Sequence, residues 1–159
     1  MSSAGPEIRW ASGPADLRGA IAVREQVFCL EQGVSREEEL DGRDGEALHL
    51  VALAPDRERV IGTLRLLFSG SDVKVGRVAV EVPWRGHGIA SRMLEIALDR
   101  AREEGCTRAR LAAQLQATGL YARAGFAVES EEFESAGIPH VWMGTALVVP
   151  ESPTRSARL

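Results

Sequence analysis

A glycine-containing turn between a strand-like and a helix-like segment carries the strongest chemical signal in the sequence. It reads Arg85-Gly86-His87-Gly88-Ile89-Ala90 and is followed by Ser91. Two glycines let the backbone approach a bulky ligand, and the first turn of the next helix offers free N–H groups and the positive end of its dipole. The pattern predicts a phosphate-binding turn over residues 85–91. It has neither a Walker lysine nor the dinucleotide spacing, and an ordinary glycine-rich connection is the alternative.

The elements that must position this turn alternate between strand-like and helix-like patterns. Strands are predicted over residues 8–11, 48–53, 60–68, 73–82, 108–113, 126–130 and 140–148. Helices are predicted over residues 16–28, 88–104 and 117–124, with a helical turn at 36–40 inside the polar loop 31–46. A strand-helix-strand unit embedded in antiparallel meanders implies an α/β fold of the α+β type, with a mixed sheet and flanking helices.

A second short pattern lies downstream of the turn. It reads Leu120-Tyr121-Ala122-Arg123-Ala124-Gly125-Phe126, with a tyrosine one helical turn before a Gly-Phe pair. Together with the Arg-x-x-Gly-x-Ala arrangement of residues 85–90, it resembles the signatures of the GNAT acetyltransferases. The resemblance extends over residues 8–147. It implies the GNAT fold, in which two neighbouring strands of the central sheet splay apart.

The resemblance also implies a cosubstrate and a reaction. Acetyl-CoA would place its pantetheine between the strands at 77–80 and 108–114, against the main chain of Val78, Ala79 and Val80. Its pyrophosphate would lie on residues 85–91. Tyr121 would protonate the departing thiolate. The reference pKa values of a phenol and a thiol are about 10 and 8.5, so this proton donation can occur but is not strongly driven. Without the resemblance, a lone tyrosine near a helix end would be assigned to packing.

Three further segments resemble the ElaA- and YjcF-like bacterial branch of the family. They are residues 24–32, 39–44 and 137–143. Because an acetyl acceptor amine must lose a proton, the acceptor side needs a base or an ordered water. The candidate acceptor-binding residues are Arg24, Arg65, Gln114, Glu134 and His140. Glu134, His140 and Glu81 are candidate bases, and the choice among them stays open.

Arg24 lies in phase with the apolar residues of its predicted helix, where an unpaired guanidinium would be unfavourable. We therefore expect a carboxylate partner among Glu39, Asp41 and Asp44. The segments around Arg24, residues 39–44 and Arg65 also resemble acyl-homoserine lactone synthases. Val34 stands where those enzymes usually have tryptophan, and they generally lack the glycine turn. The alternatives to acetyl transfer are thus a longer acyl donor, as in those synthases, or a non-catalytic acyl-CoA sensor.

Composition limits the remaining classes of function. The chain has 159 residues, and we expect one domain over residues 1–149 followed by a loose tail over 150–159. A net charge of −4 argues against a nucleic-acid partner. The N-terminal residues show no signal peptide, and no apolar run is long enough to span a membrane. We expect a cytoplasmic protein without a membrane partner.

The histidines and cysteines show no metal-ligand spacing, so no metal cofactor is expected. The expected acceptor is a small-molecule amine or a protein amine. The sequence does not decide between a monomer and a homodimer.

Overall fold

Eight strands form one sheet in the computed structural model, which describes residues 5–148. They are β1 (Glu7–Trp10), β2 (Leu48–Leu53), β3 (Val60–Ser69), β4 (Asp72–Val80), β5 (Arg108–Gln114), β6 (Ala127–Val128), β7 (Phe133–Ser135) and β8 (Ile138–Ala146). The strand order is β1-β2-β3-β4-β5-β8-β6, and β7 pairs with β8. Only β4 and β5 pair in parallel among these strands. The tail predicted over 150–159 lies outside the described residues.

Helices cover both faces of this mixed sheet. They are α1 (Pro14–Arg24), which continues into a π-helix (Glu25–Glu31), then α2 (Arg36–Glu39), α3 (Ile89–Glu103) and α4 (Thr118–Arg123). Each face of the sheet carries its own hydrophobic core. Along β2, Leu50 and Ala52 pack into the core that contains α3, whereas Val51 and Leu53 pack into the core that contains α1. The predicted fold class is confirmed.

Helix α3 forms because its apolar residues recur every three or four positions. Ile89, Met93, Leu94, Ala97, Leu98 and Ala101 are all buried against the sheet. Gly105, with a φ of 87°, follows the helix in the left-handed conformation that commonly ends helices. This helix fixes the position of the glycine turn that precedes it.

The parallel pair β4/β5 separates soon after it begins. It is held by three register pairs, Asp72↔Arg108, Val73↔Ala109 and Lys74↔Arg110. Beyond them, β4 continues along β3 while β5 continues along β8 as far as Gln114. The predicted splayed strand pair is therefore present, with its vertex at Lys74 and Arg110.

A β-bulge in β4 accompanies the separation. Arg65 pairs with Gly76 and Thr63 with Ala79, so two residues of β4 lie opposite one residue of β3. Arg77 adopts a positive φ of 54° at this point, which is unfavourable for a residue with a side chain. The bulge shifts the alternation of β4 by one residue. The strand therefore bends where the slot opens.

The predicted strands at the C-terminal end were wrong in part. The segment 126–130 forms a strand only at Ala127–Val128, and Phe133–Ser135 forms an unpredicted strand, β7. A two-residue turn at Ala136 and Gly137, with φ values of 53° and 75°, joins β7 to β8. Such turns usually carry Asn-Gly or Asp-Gly, so an alanine at the first position gave no hairpin signal.

Candidate cofactor and acceptor site

A cavity of about 800 Å³ opens where β4 and β5 diverge. Its walls come from β4, β5, the π-helix and α4. The lining residues include Val27, Phe28, Glu31, Gln32, Lys74, Arg77, Val78, Ala79, Val80, Arg85, Ala90, Leu111, Gln114, Tyr121 and His140. This volume lies in the range of small-molecule and cofactor sites.

The glycine turn borders a second recess of about 260 Å³, lined by Trp84, Arg85, Gly86, Gly88, Ile89, Ala90, Ser91, Leu120 and Arg123 among others. Gly86 and Gly88 have φ values of 82° and 78°, and a Cβ at either position would meet no atom within 4 Å. The turn therefore needs glycine for its backbone conformation and faces open space. The free N–H groups at the start of α3 could bind phosphate there. His87 is exposed and lines neither cavity.

Arg85 links the turn to the opposite wall of the main cavity. Its guanidinium donates two hydrogen bonds to the carboxylate of Glu31, at 2.8 and 2.7 Å, and one to the carbonyl oxygen of Val80, at 2.8 Å. The ion pair with Arg85 holds the pKa of Glu31 below its usual value. The π-helix and the glycine turn are thus joined directly.

Tyr121 lies on α4 and contributes to the cavity wall. Its ring packs edge-on against Phe126, with 6.2 Å between the centroids. Burial raises the pKa of Tyr121 to about 12, so the phenol keeps its proton at neutral pH. Within residues 5–148, no hydrogen bond is found for its hydroxyl, which leaves it available to a ligand.

Amide side chains occupy another part of the wall. Gln114 Nε2 donates to Gln32 Oε1 at 2.9 Å, and Gln32 Nε2 donates to Gln114 Oε1 at 3.3 Å. His140 Nδ1 lies 2.7 Å from the carbonyl oxygen of Ile138, which leaves Nε2 as the ring nitrogen available to a ligand. Gln114 and His140 both line the main cavity, so both side chains can contact the same ligand.

Two other candidate bases are placed differently. Glu134 is exposed on β7, not in the loop predicted for it, and does not line the cavity. The side chain of Glu81 is 18% exposed, forms an ion pair with Arg59 at 2.6 Å and does not line the cavity. Neither carboxylate is therefore positioned at the cavity wall.

The predicted acidic partners of Arg24 are confirmed. Its guanidinium donates to Glu39 at 2.9 and 3.1 Å and to Asp44 at 2.8 and 3.0 Å. Arg65 forms ion pairs with Asp41 and Asp44. Arg24 and Arg65 are buried and do not line the cavity, in contrast to the expected acceptor contact.

This ion-pair cluster fixes the polar segment between the π-helix and β2 against the sheet. Hydrogen bonds from Arg65 hold the pKa of Asp41 well below its usual range. Burial opposes ionisation of Asp44, but hydrogen bonds from Arg24 and Arg65 outweigh it and lower the pKa of that carboxyl. Arg77 joins the cluster through an ion pair with Glu39 at 2.8 Å. Since Glu39 and Arg77 also line the cavity, the cluster supports its wall.

Several cavity residues were missed by sequence reasoning. Glu31, Gln32, Arg77 and Arg123 lie in segments with a recognised pattern, but they were not predicted as site residues because the tertiary fold alone brings their side chains to the cavities. Lys74 had one usable signal, since it is the single lysine of the chain.

Residues 5–148 contain no group of three His, Cys, Asp or Glu residues that could hold a metal ion. In the same range, no helix is both long and apolar enough to cross a membrane.

Comparison with known proteins gives a consistent family assignment. The sequence model of the GNAT acetyltransferase domain matches residues 20–147. YjcF of Bacillus subtilis, an uncharacterized N-acetyltransferase, is 35% identical over 134 residues, which cover 84% of this chain and 94% of YjcF.

Solved structures agree with this match. A protein from Lactobacillus plantarum aligns with a TM-score of 0.82 at 30% identity, covering 91% of this chain and 100% of that one. ElaA of Escherichia coli aligns with a TM-score of 0.78 at 25% identity, covering 87% of this chain and 98% of ElaA. The resemblance seen in the two sequence signatures is thereby confirmed, and the chain belongs to the GNAT acetyltransferase family of acyltransferases.

Proposed function

We propose that this enzyme transfers the acetyl group of acetyl-CoA directly to the amine of a small molecule or protein. One observation carries the proposal. The parallel strands β4 and β5 separate after three register pairs into a cavity that has Tyr121 in its wall and the glycine turn at its border. A pantetheine arm needs such a slot, and a pyrophosphate needs such a turn.

Binding of the cosubstrate follows the two cavities. Pantetheine pairs with main-chain groups of β4 around Val78 and Val80, which lie beyond the last β4/β5 register pair. The carbonyl oxygen of Val80 already accepts one hydrogen bond, from Arg85. The pyrophosphate occupies the recess beside Gly86 and Gly88, where the N–H groups of Ile89, Ala90 and Ser91 are available. Arg123 lines the same recess, has no acidic partner among the described residues, and supplies a positive charge.

The chemical step is an acyl transfer at the thioester carbon. The neutral amine attacks the carbonyl and forms a tetrahedral intermediate, whose collapse breaks the C–S bond and forms the amide. Tyr121 donates its proton to the leaving sulfur. Burial raises the pKa values of a phenol and of a thiol in the same slot in the same direction, so transfer between them stays feasible despite the value of about 12 for Tyr121. The amine proton leaves through water or through His140.

The buried arginines support the site without touching the acceptor. Arg24 and Arg65 hold Glu39, Asp41 and Asp44 in place, and Glu39 in turn pairs with Arg77 at the cavity wall. We assign Arg24 and Arg65 as positioning residues.

The experiment combines calorimetry with a thiol-release assay. Acetyl-CoA and octanoyl-CoA are titrated separately, and CoA release is then followed with a panel of amines. Tighter binding of acetyl-CoA and amine-dependent thiol release support the proposal. A preference for octanoyl-CoA supports a longer acyl donor instead. Binding of both without thiol release contradicts transfer and indicates an acyl-CoA sensor.

A further inference from the structure

Two cations flank one tryptophan beside the vertex of the splay. Lys74 Nζ lies 5.3 Å from the ring centroid of Trp142, and Arg110 Cζ lies 4.4 Å from it. Lys74 and Arg110 are register partners on β4 and β5, and Trp142 is the partner of Ala112 on β8. The three side chains thus form one patch, and Lys74 also lines the main cavity.

The patch lies on the face of the sheet that α3 does not cover. The residues that alternate with it, Val73, Ala109, Leu111 and Met143, are buried in the core with α3. Lys74 and Trp142 are half-buried and Arg110 is exposed. The patch is therefore open to a ligand that enters the cavity from this face.

The positive charges of the patch are not neutralised within residues 5–148. No carboxylate of that range lies within 4.0 Å of the charged nitrogens of Lys74 or Arg110. The two arginines that line the main cavity, by contrast, are paired, Arg77 with Glu39 and Arg85 with Glu31. Burial and the neighbouring charges of Arg77 and Arg110 lower the pKa of Lys74. Repulsion between like charges is stronger where the charged groups are partly desolvated, and a bound anion would reduce this repulsion.

An aromatic surface continues from the patch. Phe133 stacks against Trp142 and against His140, with 5.8 Å between centroids in each case and interplanar angles of 23° and 24°. His140 belongs to the cavity wall as well. An acceptor that reaches the cavity along this surface meets flat apolar rings first and the two cations beside them.

We infer that Lys74 and Arg110 bind a carboxylate of the acceptor, which makes the acceptor a small amine of the amino-acid type with an apolar side group. The carboxylate lies against the two cations, the apolar group lies on Phe133 and Trp142, and the amine points into the slot. This assignment rests on the proposed acetyl transfer, which requires an amine there.

The test compares amines that differ only by the carboxylate. Phenylalanine is compared with phenethylamine, and tryptophan with tryptamine, as kcat/KM with acetyl-CoA. We expect at least a tenfold preference for the amino acid in each pair. Lys74→Gln should lower kcat/KM for the amino acid by about 10- to 100-fold, the range for losing a hydrogen bond to a charged group. The matched amine should change less than about threefold.

Matched variants separate charge recognition from general effects. Lys74→Arg should keep most of the preference, and Arg110→Gln should reduce it less than Lys74→Gln because Arg110 is more exposed. Arg18→Gln removes a different exposed positive charge and should leave the preference unchanged. Acetyl-CoA affinity, measured by calorimetry, should be the same in all four variants.

A second measurement does not depend on turnover. N-acetylphenylalanine and N-phenethylacetamide are titrated into the protein saturated with CoA, and the carboxylate-bearing product should bind at least tenfold more tightly. Equal kcat/KM within the pairs, or equal binding of the two products, overturns the inference. Acetylation of Lys74 itself, seen by intact mass, also overturns it because Lys74 would then be the nucleophile. Failure of acetyl-CoA to bind would instead refute the proposed function.

Discussion

Arg85 and Glu31 form an ion pair with two hydrogen bonds that joins the glycine turn to the π-helix. The two side chains are 41% and 36% exposed, so solvent and phosphate can both reach them. A pyrophosphate bound at the glycine turn, as proposed, would compete with the carboxylate of Glu31 for the same guanidinium. We therefore expect cosubstrate binding on one wall of the cavity to be linked to the helix on the other.

We predict that Glu31→Gln strengthens acetyl-CoA binding by about two- to fivefold, because it removes the competing carboxylate of an exposed pair worth at most about 1 kcal/mol. Arg85→Met should weaken binding. Calorimetry at low and high salt measures both, and the gain in Glu31→Gln should shrink as salt rises. Weaker binding in Glu31→Gln would show that Glu31 positions Arg85 for the phosphates.

The glycine turn allows a direct test of the phosphate site. Gly88→Asp introduces a side chain and a negative charge where the pyrophosphate is proposed to lie. We expect acetyl-CoA affinity to fall by more than about 100-fold, since a charged hydrogen bond is lost and a repulsion is added.

The control for backbone strain is Gly70→Asp. Gly70 also has a positive φ, 61°, and a Cβ at this position would meet no atom within 4 Å, but the residue lies in the β3–β4 turn away from both cavities. Gly70→Asp should lose stability comparably and bind acetyl-CoA normally. Equal affinity in the two variants would remove the turn from the cosubstrate site.

The buried ion pair of Arg24 gives a stability prediction. Arg24→Met removes a buried partner of Glu39 and Asp44, which keep Arg77 and Arg65, and should cost up to about 3–5 kcal/mol of unfolding free energy in urea. The double variant Arg24→Met/Glu39→Gln should recover part of this loss, because it removes one of the two carboxylates that Arg24 neutralises. Protease sensitivity of residues 31–46 and acceptor turnover should be affected more than acetyl-CoA affinity. Unchanged stability and turnover in Arg24→Met would refute a positioning role.

Protonation of the acidic cluster gives a dependence of stability on pH. The pKa values of Asp41 and Asp44 are lower in the folded protein than the usual value of about 3.9. Their contribution to stability is therefore fully present above about pH 5 and is lost as the pH falls from about 4 towards the folded-state values.

Arg65→Met should consequently lower the unfolding free energy more at pH 7 than at pH 3, although part of the loss remains at pH 3 because Asp41 is still ionised in the folded protein. Urea unfolding at the two pH values measures the difference. The same loss at both values would mean that Arg65 stabilises the fold through packing and not through these carboxylates.

Local signals explain which features the sequence could predict. Helix α3 is marked by a regular apolar spacing, and the turn before it is marked by glycines. Both signals can be recognised from residues that are neighbours in the sequence. The ion pair of Arg24 could also be predicted, because a charged residue in an apolar phase requires a partner. Arg65 and Arg77 also belong to this ion-pair cluster, but strand pairing between distant segments brings them there.

Other features have no local signal. The π-helix at Glu25–Glu31 continues α1 without a glycine or proline to mark the change. Arg77 takes a positive φ that favours glycine, so the bulge of β4 was not visible in its sequence. Strand β7 has three residues and an Ala-Gly turn, too little for a hairpin pattern. Glu134 was therefore assigned to a loop.

Tyr121→Phe tests the proposed proton donor. The substitution keeps the ring and its packing on Phe126 and removes only the hydroxyl. Turnover should fall by about ten- to a thousandfold, the scale of losing one proton-transfer group, with little change in acetyl-CoA affinity or thermal stability. Phe126→Leu serves as a packing control and should reduce stability more than Tyr121→Phe does. Full turnover in Tyr121→Phe would assign protonation of the thiolate to water or another group.

The central claim is that acetyl-CoA occupies the slot between β4 and β5. The most direct measurement is a crystal structure determined with acetyl-CoA. We predict pantetheine between the diverging strands, pyrophosphate on the N–H groups of residues 86–91, and the thioester sulfur within hydrogen-bonding distance of the Tyr121 hydroxyl. Acetyl-CoA bound elsewhere, or a thioester far from Tyr121, would contradict the account.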